Sequence, residues 1–326
     1  MIKKSIGICR VCAKNVPAWY EERSDGIYFV SDCHVHGVTE EIVERDLGSF
    51  LWGYEQEYKK GASHLAIPVT YRCNLKCKYC YTMSNSSAKF PADKSLGTLK
   101  EIYDSFEGNV TLIGGEPTVR KDLFEIIRLA KEHSNVGKLS LATNGQRLKD
   151  IDYVKKLAGS GLDFVFLSYN DKEYDESIHV NNNKIKALQN CSECNIPVWL
   201  QGTFSQTRQL DSFVEAVETY KKNIFNITLR AVKPIGVREP EDMIFVSDIL
   251  RYLGKEDNYK KGSSPFNRYV QLSGKRTKIC SWVLDMGRLE SVDSSYIIAD
   301  NSMTTFHRGM ILDEILLKDS ISSDAV

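Results

Sequence analysis

Nine cysteines stand in this 326-residue chain, and their spacing carries more information than their number. Cys73, Cys77 and Cys80 form a CxxxCxxC triplet in the stretch Thr70-Tyr71-Arg72-Cys73-Asn74-Leu75-Lys76-Cys77-Lys78-Tyr79-Cys80. Three thiolates can hold three corners of a cubane cluster, where the usual cluster takes four, so one iron stays open to a ligand. The basic neighbours Arg72, Lys76 and Lys78 favour thiolate forms. A zinc knuckle, or unrelated core cysteines, is the plain alternative. A second group, Cys9-x-x-Cys12 followed by Cys33-x-x-His36, has the double-knuckle spacing of a tetrahedral zinc ribbon. His36, not His34, keeps the two-residue spacing. Three thiolates and one imidazole suit zinc, and iron in a rubredoxin-like site, able to relay an electron, is the alternative. Cys191 and Cys194 form a CxxC without a second pair nearby, and Cys280 stands alone, so these three read as small buried or surface residues.

Polar and glycine residues gather after other apolar runs. Ile113-Gly114-Gly115-Glu116-Pro117-Thr118 joins two glycines, which permit close backbone approach to a ligand, to a carboxylate that can accept from an ammonium. Asn144-Gly145, Ser168, Gln201 and Arg230 end further runs. Asn144-Gly145 reads equally well as a turn or as part of a ligand rim.

These residues need a scaffold, and the hydrophobic pattern supplies one. Strand-like runs at His64–Thr70, Asn109–Ile113, Lys138–Thr143, Asp163–Ser168, Pro197–Thr203 and Asn226–Ala231 alternate with helical stretches, among them Arg120–His133, Asn182–Cys194 and Asp211–Lys221. Right-handed crossovers between parallel strands curl such an array into a partial (β/α)6 TIM-type barrel, an α/β fold with chemistry at the strand C-terminal ends. The cysteine triplet and the glycine motif both follow such an end. A small zinc-ribbon-like module is expected over 1–46, the barrel over 62–237 and a C-terminal α+β extension over 238–326. Glu40–Lys60 reads as a charged helical connection and Glu241–Leu253 as a helix; Lys278–Leu284 and Ser295–Phe306 read as strands.

With both motifs in view, the chain resembles the radical SAM superfamily, whose signature is CxxxCxΦC with an aromatic at Φ, here Tyr79. The resemblance implies a [4Fe-4S] cluster on Cys73, Cys77 and Cys80, with S-adenosylmethionine chelating the open iron. Reductive cleavage then yields a 5′-deoxyadenosyl radical that abstracts substrate hydrogen. It further implies that Gly114, Gly115 and Glu116 bind the amino group of SAM, with Tyr79, Asn144 and Ser168 in the same cofactor site. The N-terminal segment is similar to the rubredoxin-like module of tetraether lipid synthase-like proteins and of the methanogen pterin-methylating enzymes.

Lys plus Arg and Asp plus Glu number 43 each, so no overall field favours nucleic acid or an anionic surface. No apolar run is long enough to span a membrane and no export signal precedes the first strand, which predicts a cytoplasmic protein. The expected partners are a small-molecule or lipid-like substrate and a low-potential donor such as flavodoxin or ferredoxin. Radical methyl or methylene transfer, carbon–carbon bond formation and peptide modification are competing reactions. Peptide modification is weakened by the single cysteine beyond Cys194, where auxiliary clusters need several. A non-catalytic iron–sulfur regulatory or binding protein is the alternative from another class. His307 and Arg308, with Glu290, Asp293 and Asp300, are candidates for a substrate-covering region.

Overall fold

Tight turns shape the N-terminal end of the protein. In the computed structural model, which describes residues 2–9, 15–54, 64–77, 80, 92–170, 178–231, 244–255, 260–261 and 267–280, strands β1 (Lys3–Ile8), β2 (Asn15–Arg23), β3 (Gly26–Cys33) and β4 (Gly37–Glu44) pair antiparallel in chain order. Gly37, at φ +79°, begins β4 directly opposite Cys33. Tyr20, Phe29 and Phe50 fill the small core of this sheet, with Tyr20 4.8 Å from Phe29 and 4.9 Å from Phe50 between ring centres.

The expected helix from Glu40 to Lys60 is corrected: Glu40–Glu44 belongs to β4, and α1 covers only Leu47–Tyr54. β3 offers this segment a hydrogen-bonding edge, and the pairing overrides its helix-favouring glutamates. Residues 55–60 lie outside the described residues.

The second sheet starts with β5 (His64–Thr70). α2 (Leu96–Ser105), β6 (Gly108–Gly114), α3 (Leu123–Glu132), β7 (Val136–Thr143), α4 (Ile151–Gly159), β8 (Phe164–Ser168), α5 (Ile178–Glu193), β9 (Val198–Phe204), α6 (Leu210–Tyr220) and β10 (Ile224–Ala231) follow. These six strands are parallel and lie side by side in chain order. Beyond them comes α7 (Val246–Tyr252), and the short β11 (Lys260–Lys261), β12 (Asn267–Leu272) and β13 (Lys275–Cys280) extend the sheet. β13 pairs parallel to β10 and antiparallel to β12, so a hairpin adds a seventh parallel strand to the sheet. The strand expected at Lys278–Leu284 begins three residues earlier. The helix expected at Glu241–Leu253 is shorter, since α7 begins at Val246 after the extended N-cap Phe245, residues 241–243 lying outside the described residues, as does Ser295–Phe306.

Alternation along these strands makes two faces. Val110, Leu112, Leu139, Leu141, Val165, Leu167, Val198 and Leu200 point outward into the main core with helix residues such as Leu99, Ile126, Ile127, Val154 and Phe213. The inward residues divide along the strand direction. Toward the strand N-termini, Phe164, Phe166 and Trp199 pack together, and Trp199 Nε1 donates to Thr228 Oγ1 at 2.8 Å. A hydroxyl chain runs beside them, with Thr111 Oγ1 2.5 Å from His64 Nε2 and 2.7 Å from Ser140 Oγ. This filling closes one end of the curled sheet, and the polar residues collect at the other. Among the described residues no helix is long and apolar enough to cross a membrane.

Candidate active site and metal centre

The ends of β5 and β6 are held in step beyond their last paired residues. Gly115 N donates to Thr70 O at 2.9 Å and Glu116 N to Arg72 O at 2.8 Å, so the start of the cysteine loop is hydrogen-bonded to the glycine loop. Gly114, at φ +148°, makes this approach possible: a Cβ there would lie 1.9 Å from the Thr70 carbonyl oxygen. Arg120 clamps the same corner by donating to Val69 O and Lys94 O, each at 2.7 Å, while its other nitrogens grip Asp122. On the outer side Asp93 accepts from Thr70 Oγ1 at 2.6 Å and from Arg72 at 2.5 Å.

From this corner a cavity of about 170 Å³ opens at the C-terminal ends of the parallel strands. Cys73, Cys77 and Cys80 line it together with Gly114, Gly115, Glu116, Asn144 and Ser168. Sequence reasoning names every one of these residues, and the fold brings them to one chamber. Gln201 and Arg230 line it too, with Arg230 Nη1 donating to Gln201 Oε1 at 3.1 Å. Tyr79 lies outside the described residues, as do His307, Arg308, Glu290, Asp293 and Asp300.

Three sulfur atoms facing one chamber are a donor set that fits an iron–sulfur cluster. Cys80 N donates to Cys77 O at 3.3 Å, closing the turn between two of the cysteines, and Leu75 N donates to Cys73 Sγ at 3.4 Å. Burial pushes the Cys73 thiol up to about 11, against the pull of that backbone donor. A bound iron would favour its thiolate.

Glu116 is fully buried and its two oxygens are heavily used. Oε1 accepts from Thr118 N at 3.1 Å, Thr118 Oγ1 at 2.6 Å and Thr143 Oγ1 at 2.8 Å, and Oε2 accepts from Asn144 N at 2.6 Å. Burial raises its carboxyl above the ordinary value, and these donors oppose the shift. The carboxylate thus fastens the β6 loop to the β7 loop. Asn144 continues the link: its Nδ2 donates to Asn74 Oδ1 at 2.8 Å and lies 3.9 Å from Cys73 Sγ. Asn144-Gly145 is both turn and rim, because Gly145 takes φ +79° while Asn144 faces the chamber.

The second candidate centre belongs to the N-terminal sheet. Cys9 follows β1, and Cys33 and His36 flank the β3–β4 turn. Their ligand atoms lie within 4.8 Å of one another, with His36 Nδ1 3.5 Å from both Cys9 Sγ and Cys33 Sγ. A tetrahedral zinc with bonds of about 2.3 Å to sulfur and about 2.0 Å to nitrogen spans roughly 3.5 Å between the two ligand atoms. These three residues therefore fit zinc; Cys12, expected as the fourth ligand, lies outside the described residues. Backbone donors from Val35 and His36 hold the Cys33 thiol below its ordinary value. Cys191 is buried in the main core and burial pushes its thiol up to about 12, as expected of an inert packing residue.

Lys184 lines the chamber without having been singled out from the sequence, beside Thr143 and Asn170 from the strand ends. Asn170 accepts from Thr203 N at 3.0 Å, joining the β8 and β9 ends. Lys184 falls on the buried stripe Lys184, Ala187, Leu188, Cys191 of α5, where a lone cation interrupts an apolar pattern.

A mostly parallel barrel-like sheet with a three-cysteine loop and glycine rim at one chamber, preceded by a small sheet whose Cys9, Cys33 and His36 fit zinc, is an arrangement suited to a cluster-dependent enzyme. Residues 67–219 match the radical SAM superfamily and residues 1–45 match the HMPTM N-terminal zinc ribbon domain. The chain thus carries a radical SAM domain, which implies a [4Fe-4S] cluster and SAM, and an N-terminal zinc ribbon domain, which supports a structural zinc. It is 30% identical over 237 residues to the 7,8-dihydro-6-hydroxymethylpterin dimethyltransferase of Methanocaldococcus jannaschii, covering 59% of this chain and 45% of that protein's length. The chain thus spans less than half of that relative. It is 23% identical over 240 residues to a GTP 3′,8-cyclase of Clostridium perfringens, covering 69% of this chain and 74% of the cyclase. Among solved structures, Streptococcus suis SuiB bound to S-adenosylmethionine shares the fold at a TM-score of 0.51 and 15% identity, over 73% of this chain and 67% of SuiB.

Proposed function

We propose that the protein cleaves S-adenosylmethionine reductively and directs the 5′-deoxyadenosyl radical to an unactivated carbon of a small-molecule or lipid-like substrate. The observation that carries this reading is the single chamber in which Cys73, Cys77 and Cys80 meet Gly114, Gly115 and Glu116. When bound, the reduced cluster supplies the electron that splits the sulfonium of SAM. The chain's own residues then have defined tasks. The three thiols hold the cluster; Gly114 and Gly115 present backbone at close range; Asn144 and Ser168 offer polar groups to the cofactor; and Glu116 fixes the rim while accepting from the SAM ammonium. Tyr79 joins this set on its motif position. A flavodoxin or ferredoxin is the reductant this chemistry needs.

Reconstituted protein incubated anaerobically with SAM and dithionite is expected to form 5′-deoxyadenosine, and a Cys77→Ala variant is expected to form none. Equal product from both proteins would sink the proposal. A second reading, radical methyl or methylene transfer, is favoured by the HMPTM-type ribbon and the similarity to the pterin dimethyltransferase. Under that reading, label from methyl-labelled SAM appears in the product; under simple hydrogen abstraction it stays with methionine.

A further inference from the structure

Asn144 turns one end of its side chain toward the cysteine loop, and the turn it stands in decides which end. Gln146 N donates to Asn144 Oδ1 at 3.0 Å, so the oxygen is fixed on the turn after β7. The NH2 group of the planar amide therefore points the other way. It donates to Asn74 Oδ1 at 2.8 Å, and Cys73 Sγ lies 3.9 Å from the same nitrogen, within reach of the second N–H. A flipped amide would set its oxygen against the sulfur and its NH2 against the Gln146 N–H, two repulsive contacts in place of two favourable ones. The backbone holds this arrangement still: Asn144 N donates to Glu116 Oε2 at 2.6 Å, and Glu116 N donates at 2.8 Å to the carbonyl of Arg72, the residue before Cys73.

Cys73 Sγ thus meets N–H groups from two separate segments: Asn144 Nδ2 at the end of β7, and Leu75 N, at 3.4 Å, in its own loop. Cluster thiolates accept hydrogen bonds, and hydrogen bonds to the sulfurs are among the features that set a cluster's reduction potential. Reduction adds one electron to the cluster and its thiolates, so an N–H aimed at a sulfur stabilises the more negative, reduced form more than the oxidised one. We propose that Asn144 is a positioning residue that acts through Cys73: its amide N–H, directed at the Cys73 sulfur, raises the reduction potential of a cluster held by the triplet. Oδ1 keeps a second lone pair for a bound cofactor, so this role adds to the place of Asn144 in the rim of the chamber. The inference rests on reading Cys73, Cys77 and Cys80 as cluster ligands.

Cluster potential, and not turnover, is the readout. Reconstituted wild-type protein, Asn144→Ser and Asn74→Ala are titrated anaerobically with dithionite in the absence of SAM, and the reduced cluster is counted by electron paramagnetic resonance at each solution potential. Serine can still accept from Gln146 N but brings no amide to the sulfur. The expected result in Asn144→Ser is a more negative potential, with reduction about three- to ten-fold less favourable, ten-fold being about 59 mV for one electron. Asn74→Ala removes the tether between the loops and leaves the Asn144 N–H facing Cys73, so its potential should match wild type. An unchanged potential in Asn144→Ser overturns the inference. Equal shifts in the two variants overturn it as well, because Asn144 then acts only by fastening the loop. If Asn144→Ser does not retain the cluster, Asn144→Leu, close in shape and uncharged, takes its place and must give the same shift. Iron content of the wild type is scored first: protein that takes up no iron on the triplet refutes the reading of the cysteines and this inference with it, whereas a wild-type cluster with unmoved variants refutes the inference alone.

Discussion

The two cysteine sites of this protein differ in what holds them. In the ribbon, Cys33 and His36 sit on either side of a strand turn and Cys9 just after β1, and among the described residues the core of this sheet is the small cluster Ala18, Tyr20, Ile27, Phe29, Val43 and Phe50. At the barrel, Cys73, Cys77 and Cys80 lie on a loop, and the precision comes from neighbours: Thr70 with Gly115, Arg72 with Glu116, Asn74 with Asn144. Behind that loop stands a continuous core running from Leu65 to Ile279. A metal bound to the ribbon contributes to folding itself, as in other small metal domains. A cluster on the barrel loop would instead be added to a sheet whose own core already extends from Leu65 to Ile279, so that sheet is expected to fold without it.

The largest expected effect follows from this contrast. Cys77→Ala should abolish both cluster absorbance and 5′-deoxyadenosine while leaving the main thermal unfolding transition in place. Cys33→Ser should do the reverse: zinc is lost, iron content at the barrel stays, and hydrogen exchange of β1–β4 rises to the level of an unfolded segment. Iron content and exchange mass spectrometry on the two variants decide it, and a Cys77→Ala protein that unfolds throughout would erase the distinction between the sites.

Next in size is Glu116→Ala. It removes the acceptor for Thr118, Thr143 and Asn144 in a fully buried place. Leaving a buried donor unsatisfied costs roughly 1–3 kcal/mol, so the melting temperature should fall and the cluster should become labile. Zinc content should not change, because no part of this network reaches the ribbon. Gly114→Ala should act on the same corner, since its Cβ meets backbone and not a movable side chain. A variant with normal cluster retention would show that the β5 and β6 loop ends can separate, contrary to the geometry.

Much of this site was legible because its signals are short in sequence. Cys73–Cys80 and Gly114–Thr118 carry their chemistry within one loop each, and the six apolar runs around them needed only period-two and helical spacing. What escaped depends on pairing between distant segments. Glu40–Glu44 has helix-favouring residues, and only the edge of β3 makes it a strand. β13 is polar at every second residue or more, and its place beside β10 follows from the hairpin with β12, which no local pattern fixes. The dual service of Glu116 required knowing that Thr143 and Asn144 arrive beside it from another strand. Lys184 was hidden differently, because a cation on an otherwise apolar stripe reads as an interruption of the pattern until the chamber behind it is seen.

The smallest effect concerns how the two regions touch. Ser247 Oγ, in the first turn of α7, donates to Glu44 Oε1 at 2.5 Å, and the Arg45 guanidinium lies 4.9 Å from the centre of the Phe245 ring. The ribbon thus rests on the barrel through the end of β4, one residue before the ribbon match stops. Glu44 also accepts from Arg45 N at 2.8 Å, so removing the serine hydroxyl leaves the carboxylate with a partner. Ser247→Ala should therefore cost only about 1 kcal/mol, and it should leave zinc, cluster and SAM cleavage intact. Its signature is local: faster amide exchange at the end of β4 and the start of α7, with the knuckle at Cys33–His36 as protected as before. Faster exchange at the knuckle as well would mean that the barrel, and not the metal alone, holds the ribbon in shape.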